Sequence, residues 1–316
     1  MKPSLKRKIG ESLAGYLYVG PAAIVLGLFS IFPVGYAFYV SLHQWGIRRG
    51  AFVGFDNYRR AFSDPEFGRS MAATLYYVIG TVPVSVFLGL IVANLLAQRI
   101  RARAFYRTMY FLPYVTSVVA AAAVWTLVFY PASSERGLAN AVMTWLGLPP
   151  QFWVEESQGV VQLIGSHFHL RVPDWAAGPS LALVCVIIFS IWSSFGFDVV
   201  VLLAGLTSVP KEIYEAAALD GATGWHRLRY ITIPLISPTL FFLMIISTIR
   251  AFRVFGQIYI MASKDPLRSA DNVTMYIYRY FREEPGYGSA VAMILFGIIL
   301  LVTLVQMRLI GPRVHY

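Results

Sequence analysis

The sequence predicts an all-α integral membrane protein with six transmembrane helices and one short cytoplasmic helix between the fourth and the fifth. Of its 316 residues, 57% are hydrophobic and only 13% are charged, whereas soluble domains carry about 25% charged residues. Six long runs lack Asp, Glu, Lys and Arg, and a helix needs about 20 apolar residues to cross a bilayer. A polar, alanine-rich segment separates runs four and five. Together these features predict a six-span protein.

The charge-free runs define a basic tail, six spans and one long loop. Pro83 and Pro113 lie within the second and third runs, where we expect kinks rather than breaks, because neighbouring helices satisfy the freed carbonyls. The loop contains short apolar-periodic pieces, such as residues 138–146, and we interpret it as an external cap of short helices. The predicted boundaries are a tail at 1–12, a transmembrane domain at 13–316, spans at about 13–42, 70–98, 105–130, 179–206, 231–261 and 286–308, an external loop at 131–178 and a short helix at 209–221.

The predicted orientation places both termini in the cytoplasm. The first run follows a basic tail but is too long for a secretory signal and lacks a small-residue cleavage site, so we keep it as a span. Lys and Arg number 13 on the predicted cytoplasmic side and 11 outside, so the positive-inside count decides little. The 98–107 loop is more informative, because it holds four arginines between two closely spaced helices.

Composition also argues against several kinds of site. The single Cys185 lies in an apolar run, which excludes an internal disulfide and a cysteine-based metal site. The net charge of +10 is spread between apolar runs, which favours lipid headgroups over nucleic acid as its partner. His167 and His169 alternate in the external loop, but no third ligand is nearby. We therefore interpret them as part of a solvated loop and predict no metal site.

Residues 209–221, between spans four and five, have the features of a short surface helix. Pro210 suits a first helical turn, and Glu212 and Glu215 favour the positive end of the helix dipole. Gly221 supplies a left-handed stop after a run of alanines. Such a helix, joined rigidly to two spans, could transmit a movement of a soluble partner to the transmembrane helices.

The same segment resembles a known family. It contains Glu215-Ala216-Ala217, then Gly221, then Ile231-Thr232-Ile233-Pro234. The permease subunits of binding-protein-dependent ABC importers share a hallmark of Glu-Ala-Ala, three residues, Gly, nine residues and Ile-x-Leu-Pro, from which only Ile233 departs. In that family this coupling helix docks into a cleft of the ATPase subunit. The resemblance therefore implies that the ATPase-coupling residues are Glu215, Ala216, Ala217, Asp220 and Gly221.

Further segments resemble the carbohydrate branch of that family, in its first-permease type, similar to the maltose and glycerol-3-phosphate importer permeases. They are Gly20-Pro21, the run 52–58, Phe111-Leu112-Pro113 and Tyr276-Ile277-Tyr278. The resemblance implies a cell (inner) membrane location and translocation of a sugar or oligosaccharide. It also implies a second permease subunit, two cytoplasmic ATPase subunits and an extracytoplasmic binding protein as partners. The chain departs at residues 262–266, where the family has a Gly-rich turn.

The sequence lacks the parts that an ATP-hydrolysing enzyme needs. No Gly-x4-Gly-Lys-Ser/Thr occurs, because none of the lysines follows a glycine, so no phosphate-cradling loop is present. We therefore expect no enzymatic activity and no cofactor on this chain, with ATP and Mg bound by the partner ATPase subunits.

The fifth span carries the candidate solute path. Charged residues within a membrane are costly and are functional candidates by default. On a continuous helix, Arg250, Arg253 and Gln257 fall within about 60° of one another and form a polar stripe. An aromatic stripe with Phe252, Phe255 and Tyr259 faces the opposite side. Sugars are held by hydrogen bonds and aromatic platforms, so either stripe could line the path.

Alternatives remain for these residues and for the function. The arginines could pair with Asp198, or with an acid on a partner permease, and the aromatic stripe could be helix packing or lipid contact. Two guanidinium groups also suit a carboxylate or phosphate, so a sugar phosphate such as glycerol-3-phosphate is the alternative solute. An ion-coupled secondary transporter would not explain the Glu-Ala-Ala segment. An intramembrane enzyme would need a catalytic cluster that the spans lack.

Overall fold

The computed structural model describes residues 5–46, 48–98, 101–130, 137–263 and 265–311. The basic side chains from which the 1–12 tail was predicted lie outside the described part. Arg99 and Lys264, in two of the predicted loops, also lie outside it. In these ranges the chain forms sixteen α-helices and two short β-strands. In chain order they are α1 Leu5–Leu26, α2 Phe32–Ser41, β1 His43–Trp45, β2 Arg49–Phe52, α3 Asp56–Ser63, α4 Pro65–Ala97, α5 Arg103–Val115, α6 Val118–Val128, α7 Leu138–Trp145, α8 Val160–His167, α9 Leu181–Ser208, α10 Lys211–Leu219, α11 Gly224–Arg227, α12 Ile233–Leu235, α13 Ser237–Phe252, α14 Gly256–Met261, α15 Val273–Glu283 and α16 Pro285–Ile310.

The predicted all-α membrane architecture is confirmed. Among the described residues, five helical stretches are long and apolar enough to cross a bilayer: Gly15–Ser41, Pro65–Ala97, Leu181–Ser208, Ser237–Met261 and Pro285–Ile310. A sixth span is obtained if the bent pair α5 and α6 counts as one. The antiparallel hairpin of β1 and β2, which pairs His43 with Phe52, was not predicted.

One of two compact units combines the described residues up to Asp64 with Ile277–Leu295. It contains the first span, in which α1 leads through a π-helical turn at Gly27–Ile31 into α2. The Arg60 side chain of α3 forms an ion pair with Glu284, and its guanidinium lies 4.2 Å from the Tyr287 ring centroid. The ion pair and the ring contact join α3 to the start of α16.

The second unit contains Pro65–Tyr276 and the residues from Phe296 onward, and is built around α4 and α9. The Ser180 hydroxyl caps α9 by accepting from the amide of Leu183 at 3.2 Å. The helix ends before Pro210, where Val209 is extended, as expected for a residue that precedes proline. Glycines allow close packing against α9, as is usual between membrane helices. A Cβ on Gly196 would lie 2.0 Å from the carbonyl oxygen of Tyr110 in α5.

The third predicted span is not a continuous helix. Helices α5 and α6 meet at 94°, so the expectation of a kink rather than a break at Pro113 is wrong. Thr116 adopts an extended conformation, and the Ser117 hydroxyl accepts from the amide of Ala120 at 3.5 Å, which starts α6 as a new helix. The break falls at Thr116 and Ser117, after the turn of α5 that contains Pro113.

The fifth predicted span is also interrupted. It begins with a π-helical turn at Leu228–Thr232, which is followed by α12 and α13. Helix α13 ends at Phe252, and α14 begins at Gly256. The predicted span 231–261 overlaps the apolar stretch Ser237–Met261, which is long enough to cross a bilayer, but the helix is interrupted within it. The three-residue interruption, 253–255, begins at Arg253 of the predicted polar stripe, and it shapes the cavity described below.

The loop that was predicted to be external contains short helices, as the apolar periodicity indicated. Helix α7 covers Leu138–Trp145, α8 covers Val160–His167, and single 3₁₀ turns occupy Trp153–Glu155 and Asp174–Ala176. The Asn140 side chain connects these pieces, because its amide oxygen accepts from the Trp153 indole at 2.7 Å and from the Gln151 backbone at 2.9 Å.

Candidate functional site

The segment with the spaced Glu-Ala-Ala motif folds as α10, and both of its ends follow from its sequence. Pro210 is the N-cap and Glu212 lies in the first turn. Gly221 has a φ of +73°, which a residue with a side chain adopts only at a cost. The amides of Gly221 and Ala222 donate to the carbonyls of Ala218 and Ala217 at 3.1 and 2.9 Å, the paired bonds of a Schellman cap.

Helix α10 is anchored on one side and open on the other. Ala217 is buried, and the hydroxyl of Tyr214 lies 3.3 Å from that of Thr232 at the start of the fifth span. The predicted coupling residues Glu215, Ala216, Asp220 and Gly221 are exposed. Leu219, which the sequence analysis did not select, is also exposed, at 90%. A soluble partner therefore has access to most of the motif.

A second candidate site is a cavity of about 430 Å³ within the second unit. It lies among α4, α9, α13 and α14, with the end of α5 and the start of α6 closing one side. Hydroxyl groups, two guanidinium groups, an amide and aromatic rings all reach it. The lining residues are Tyr77, Thr81, Val82, Ser85, Tyr114, Val118, Ser190, Ser193, Ser194, Ser247, Arg250, Ala251, Arg253, Val254, Phe255, Gly256 and Gln257.

The predicted polar stripe lines this cavity. Arg250, Arg253 and Gln257 are all lining residues, although the helix is interrupted between the second and the third of them. The Arg250 guanidinium lies 5.3 Å from the Tyr114 ring centroid and 5.0 Å from that of Phe197, within cation–π range. No lining residue is acidic. The cavity is therefore positively charged, with hydrogen-bond donors on several sides.

The interruption of the fifth span is held by polar groups from a distant segment. The side-chain amide of Asn272 donates to the Val254 carbonyl at 2.7 Å, and the Thr274 hydroxyl donates to the same oxygen. Asn272 is fully buried, and its amide oxygen accepts from the Met275 amide at 3.0 Å. Irregular backbone at membrane depth is tolerated where it is buried in protein or lines a cavity. This segment does both.

One wall of the cavity is a hydrogen-bonded row that the sequence analysis missed. The Gln257 amide donates to the Tyr77 hydroxyl at 3.1 Å and to the Ser190 hydroxyl at 3.4 Å. Ser190, Ser193 and Ser194 come from α9, and Ser85 of α4 lies 3.3 Å from Ser194. The spacing of the three α9 serines was a usable signal, because i, i+3 and i+4 positions share one helix face.

The aromatic residues predicted to line the solute path lie in different places in the structure. Phe255 lines the cavity beside the arginines, and its ring stacks on Tyr259 at 5.4 Å, but Tyr259 is not a lining residue. Phe252 is buried in the core, so the three rings do not form one stripe opposite the arginines. The interruption at 253–255 changes the helical phase, which is why that geometric prediction is wrong.

Asp198 is buried in α9 and accepts a hydrogen bond from the Ser85 hydroxyl. Among the described residues it forms no ion pair with Arg250 or Arg253. Asp198 therefore makes no direct ion pair with either arginine, although it is close enough to Arg250 for the two charges to interact. Asp198 instead sits at the contact between α4 and α9, where its Cβ would lie 2.9 Å from a Cβ added to Gly89.

Within the described ranges, no group of three or more His, Cys, Asp or Glu side chains is arranged to hold a metal ion. Cys185 is buried, as expected for a small apolar residue. The absence of a cofactor on this chain stays a prediction.

Comparison with known proteins identifies the family. Residues 85–316 match the family model described as the binding-protein-dependent transport system inner membrane component. The trehalose/maltose transport system permease protein MalF of Thermococcus litoralis is 30% identical over 306 residues, which cover 96% of this chain and 95% of that protein. The sn-glycerol-3-phosphate transport system permease protein UgpA of Rhizobium meliloti is 28% identical over 95% of this chain and 96% of that protein.

A solved structure supports the same fold. A chain from the crystal structure of a bacterial alginate ABC transporter, in complex with alginate pentasaccharide-bound periplasmic protein, superposes with a TM-score of 0.74. The two chains are 24% identical, and the match covers 96% of each. The resemblance inferred from the Glu-Ala-Ala motif is confirmed, and the chain belongs to the family of inner membrane components of binding-protein-dependent transport systems.

Proposed function

We propose that this permease carries a sugar or oligosaccharide through the cavity lined by Tyr77, Ser190, Arg250, Arg253 and Gln257. The observation that carries the proposal is the chemistry of the lining. Hydroxyl and amide groups from three helices converge there beside the Phe255 ring, and this combination suits a polyhydroxylated solute. The name of one relative, which refers to trehalose and maltose, supports this class of solute, whereas the name of another, which refers to glycerol-3-phosphate, supports the anionic alternative.

The second candidate is an anionic sugar, such as a sugar phosphate. Two arginines line the cavity and no lining residue is acidic, so a solute with a carboxylate or phosphate would find two unopposed guanidinium groups. Arg250 is already held against the Tyr114 and Phe197 rings, which leaves Arg253, at the interruption, as the better candidate to contact solute.

The two candidates are separated by transport assays with the assembled importer in proteoliposomes. The probes are maltose and glycerol-3-phosphate, each delivered by a cognate binding protein. A neutral solute predicts that Tyr77→Phe lowers uptake more than Arg253→Gln does. An anionic solute predicts the reverse order. Equal uptake by the parent and both variants, for every solute that is carried, would contradict a role for this cavity.

The energy for transport comes, in our proposal, from two separate cytoplasmic ATPase subunits that bind ATP and Mg. The exposed face of α10, with Glu215, Ala216, Asp220 and Gly221, would dock against one of them, and Leu219 would be covered in the contact. The buried Ala217 would act by keeping α10 seated against the spans. A second permease subunit and an extracytoplasmic binding protein complete the proposed assembly.

The proposed orientation follows from the position of α10. If the ATPase subunits are cytoplasmic, the end of α9 that leads into α10 is cytoplasmic, and the α7–α8 region at its other end is outside. The N- and C-termini then lie in the cytoplasm. Accessibility labelling of single cysteines introduced at Thr144 and at Asp220, in a Cys185→Ala background, tests this orientation in intact cells.

A further inference from the structure

A second polar cavity, of about 700 Å³, lies at the end of α9 that carries α10. It is formed by the end of α4, the start of α5, the end of α9 and the segment from α10 to the start of the fifth span. Nothing in the solute path reaches it, because none of its lining residues lines the cavity of about 430 Å³. It is therefore a separate site.

The charged residues that line this cavity are all basic. Arg103 comes from α5, Lys211 from α10 and Arg227 from α11, and no acidic residue is among the lining residues. Within the described part of the chain, none of the three has an ion-pair partner. Three cations that share one concave surface repel each other, so the arrangement is more stable with an anion between them.

The Arg103 side chain carries a further sign of a missing partner. Its Nε is buried, and no hydrogen-bond acceptor among the described residues reaches it. A buried donor without an acceptor costs about 1–3 kcal/mol, and more when the group is charged. Two aromatic residues, Tyr214 and Trp225, also line the cavity, and Trp225 is 69% exposed. Exposed Trp and Tyr side chains are typical of the headgroup level of a membrane.

We propose that this cavity binds a phosphate-bearing anion, held by Arg103, Lys211 and Arg227. Guanidinium groups bind phosphate oxygens through paired charge-assisted hydrogen bonds, and a lysine adds a third positive contact. The phosphate could belong to an anionic phospholipid headgroup or to free phosphate, since both present the same group. Either would tie α5, α10 and α11 together at one point. The proposal does not depend on which solute the permease carries.

The test uses the purified full-length chain in neutral detergent, without ATPase subunits. Phosphatidylglycerol, phosphatidylcholine and inorganic phosphate are added separately. Native mass spectrometry measures bound lipid, and thermal unfolding measures the shift in Tm. We expect phosphatidylglycerol to remain bound and to raise the Tm. The double variant Arg103→Gln/Arg227→Gln should weaken the binding about tenfold. The matched control Arg171→Gln/Arg282→Gln changes two exposed arginines outside the cavity and should bind as the parent does.

The separate additions of lipid and inorganic phosphate identify the source of the phosphate. A Tm shift with inorganic phosphate as large as that with phosphatidylglycerol assigns the site to free phosphate, and a shift with phosphatidylglycerol alone assigns it to lipid. Equal binding of phosphatidylglycerol and phosphatidylcholine by the parent would overturn the proposal, as would equal binding by parent and double variant. If the double variant does not fold, Lys211→Gln replaces it. Parental binding by Lys211→Gln then counts against the site.

Discussion

The side-chain amide of Asn272 donates a 2.7 Å hydrogen bond to the carbonyl of Val254, the central residue of the interruption between α13 and α14. The interruption leaves this carbonyl without a helical partner, and Asn272 and Thr274 replace it. The position of Arg253 at the cavity therefore depends on Asn272, which lies 18 positions beyond Val254 in the chain.

We expect Asn272→Leu to destabilise the protein by about 1–3 kcal/mol, because it leaves a buried carbonyl with one fewer donor. Thermal unfolding of the purified chain measures the effect. Ser263→Ala is the matched control, since the Ser263 hydroxyl bonds only locally, to the Ile260 carbonyl, and is exposed. A Tm for Asn272→Leu equal to that of Ser263→Ala would contradict the assigned role.

The close approach of α5 to α9 at Gly196 gives a second prediction. A Cβ there would lie 2.0 Å from the Tyr110 carbonyl oxygen, so Gly196→Ala forces the two helices apart and should cost about 1–3 kcal/mol or more. Gly297→Ala in α16 meets nothing within 4 Å and should be neutral, or stabilising by up to about 1 kcal/mol. Yield and Tm of the two variants check the contrast, and equal losses would show that the clash does not matter.

The ion pair between Arg60 and Glu284 predicts a pH dependence. The hydrogen bond from Arg60 lowers the pKa of Glu284 and raises that of Arg60. A carboxyl whose pKa is depressed by folding stabilises the protein above its ordinary pKa of about 4.3, and the contribution is lost as the pH falls toward the lower folded value.

Glu284→Gln should therefore lower the Tm at pH 7. The loss in the free energy of unfolding should be below about 1 kcal/mol, because both side chains are about half exposed. The difference from the parent should shrink as the pH is lowered below about 4. Glu283→Gln, which alters the exposed neighbouring glutamate, is the control. A difference from the parent that grows on acidification has the wrong sign for this ion pair.

The exposed face of α10 predicts an uncoupling variant. Glu215→Ala should lower solute-stimulated ATPase activity and uptake by the assembled importer, while the chain remains in the membrane at the parental level. Glu212→Ala changes another exposed glutamate of the same helix, outside the Glu-Ala-Ala motif, and should have a smaller effect. Equal effects of the two changes would mean that the helix charge matters rather than Glu215 itself.

The fold was accessible from the sequence because lipid imposes a strong constraint on composition. Long runs without charge predicted the spans, and the Glu-Ala-Ala spacing predicted α10 together with its Gly221 stop. The residues of the predicted polar stripe, Arg250, Arg253 and Gln257, line one cavity, and their role in a solute path stays a prediction. Local helical geometry was enough to group these three residues. The interruption at 253–255 changes that geometry but leaves all three in the cavity.

The interruption of the fifth span could not be predicted from local patterns. The interruption at 253–255 contains no proline, and its carbonyl is satisfied by Asn272 and Thr274, which no local window includes. The hydroxyl row on α9 is different, because Ser190, Ser193 and Ser194 have a readable spacing. Serines within an apolar helix also donate to carbonyls of their own helix, as Ser190 and Ser194 do, so this spacing alone does not separate a cavity wall from ordinary helix packing.

The 94° elbow between α5 and α6 has a consequence for how the chain enters the membrane. Arg103–Val115 and Val118–Val128 are about 20 and 17 Å long at 1.5 Å per residue, and a bilayer core is about 30 Å thick. Neither piece crosses on its own, and we expect the insertion machinery to accept both as one hydrophobic segment. Helix α9, which packs against α5 at Gly196, emerges from the ribosome later. We expect the bend between α5 and α6 to reach its final angle only after α9 has been inserted. This part of the permease would then complete its folding in the bilayer while later segments are being synthesised.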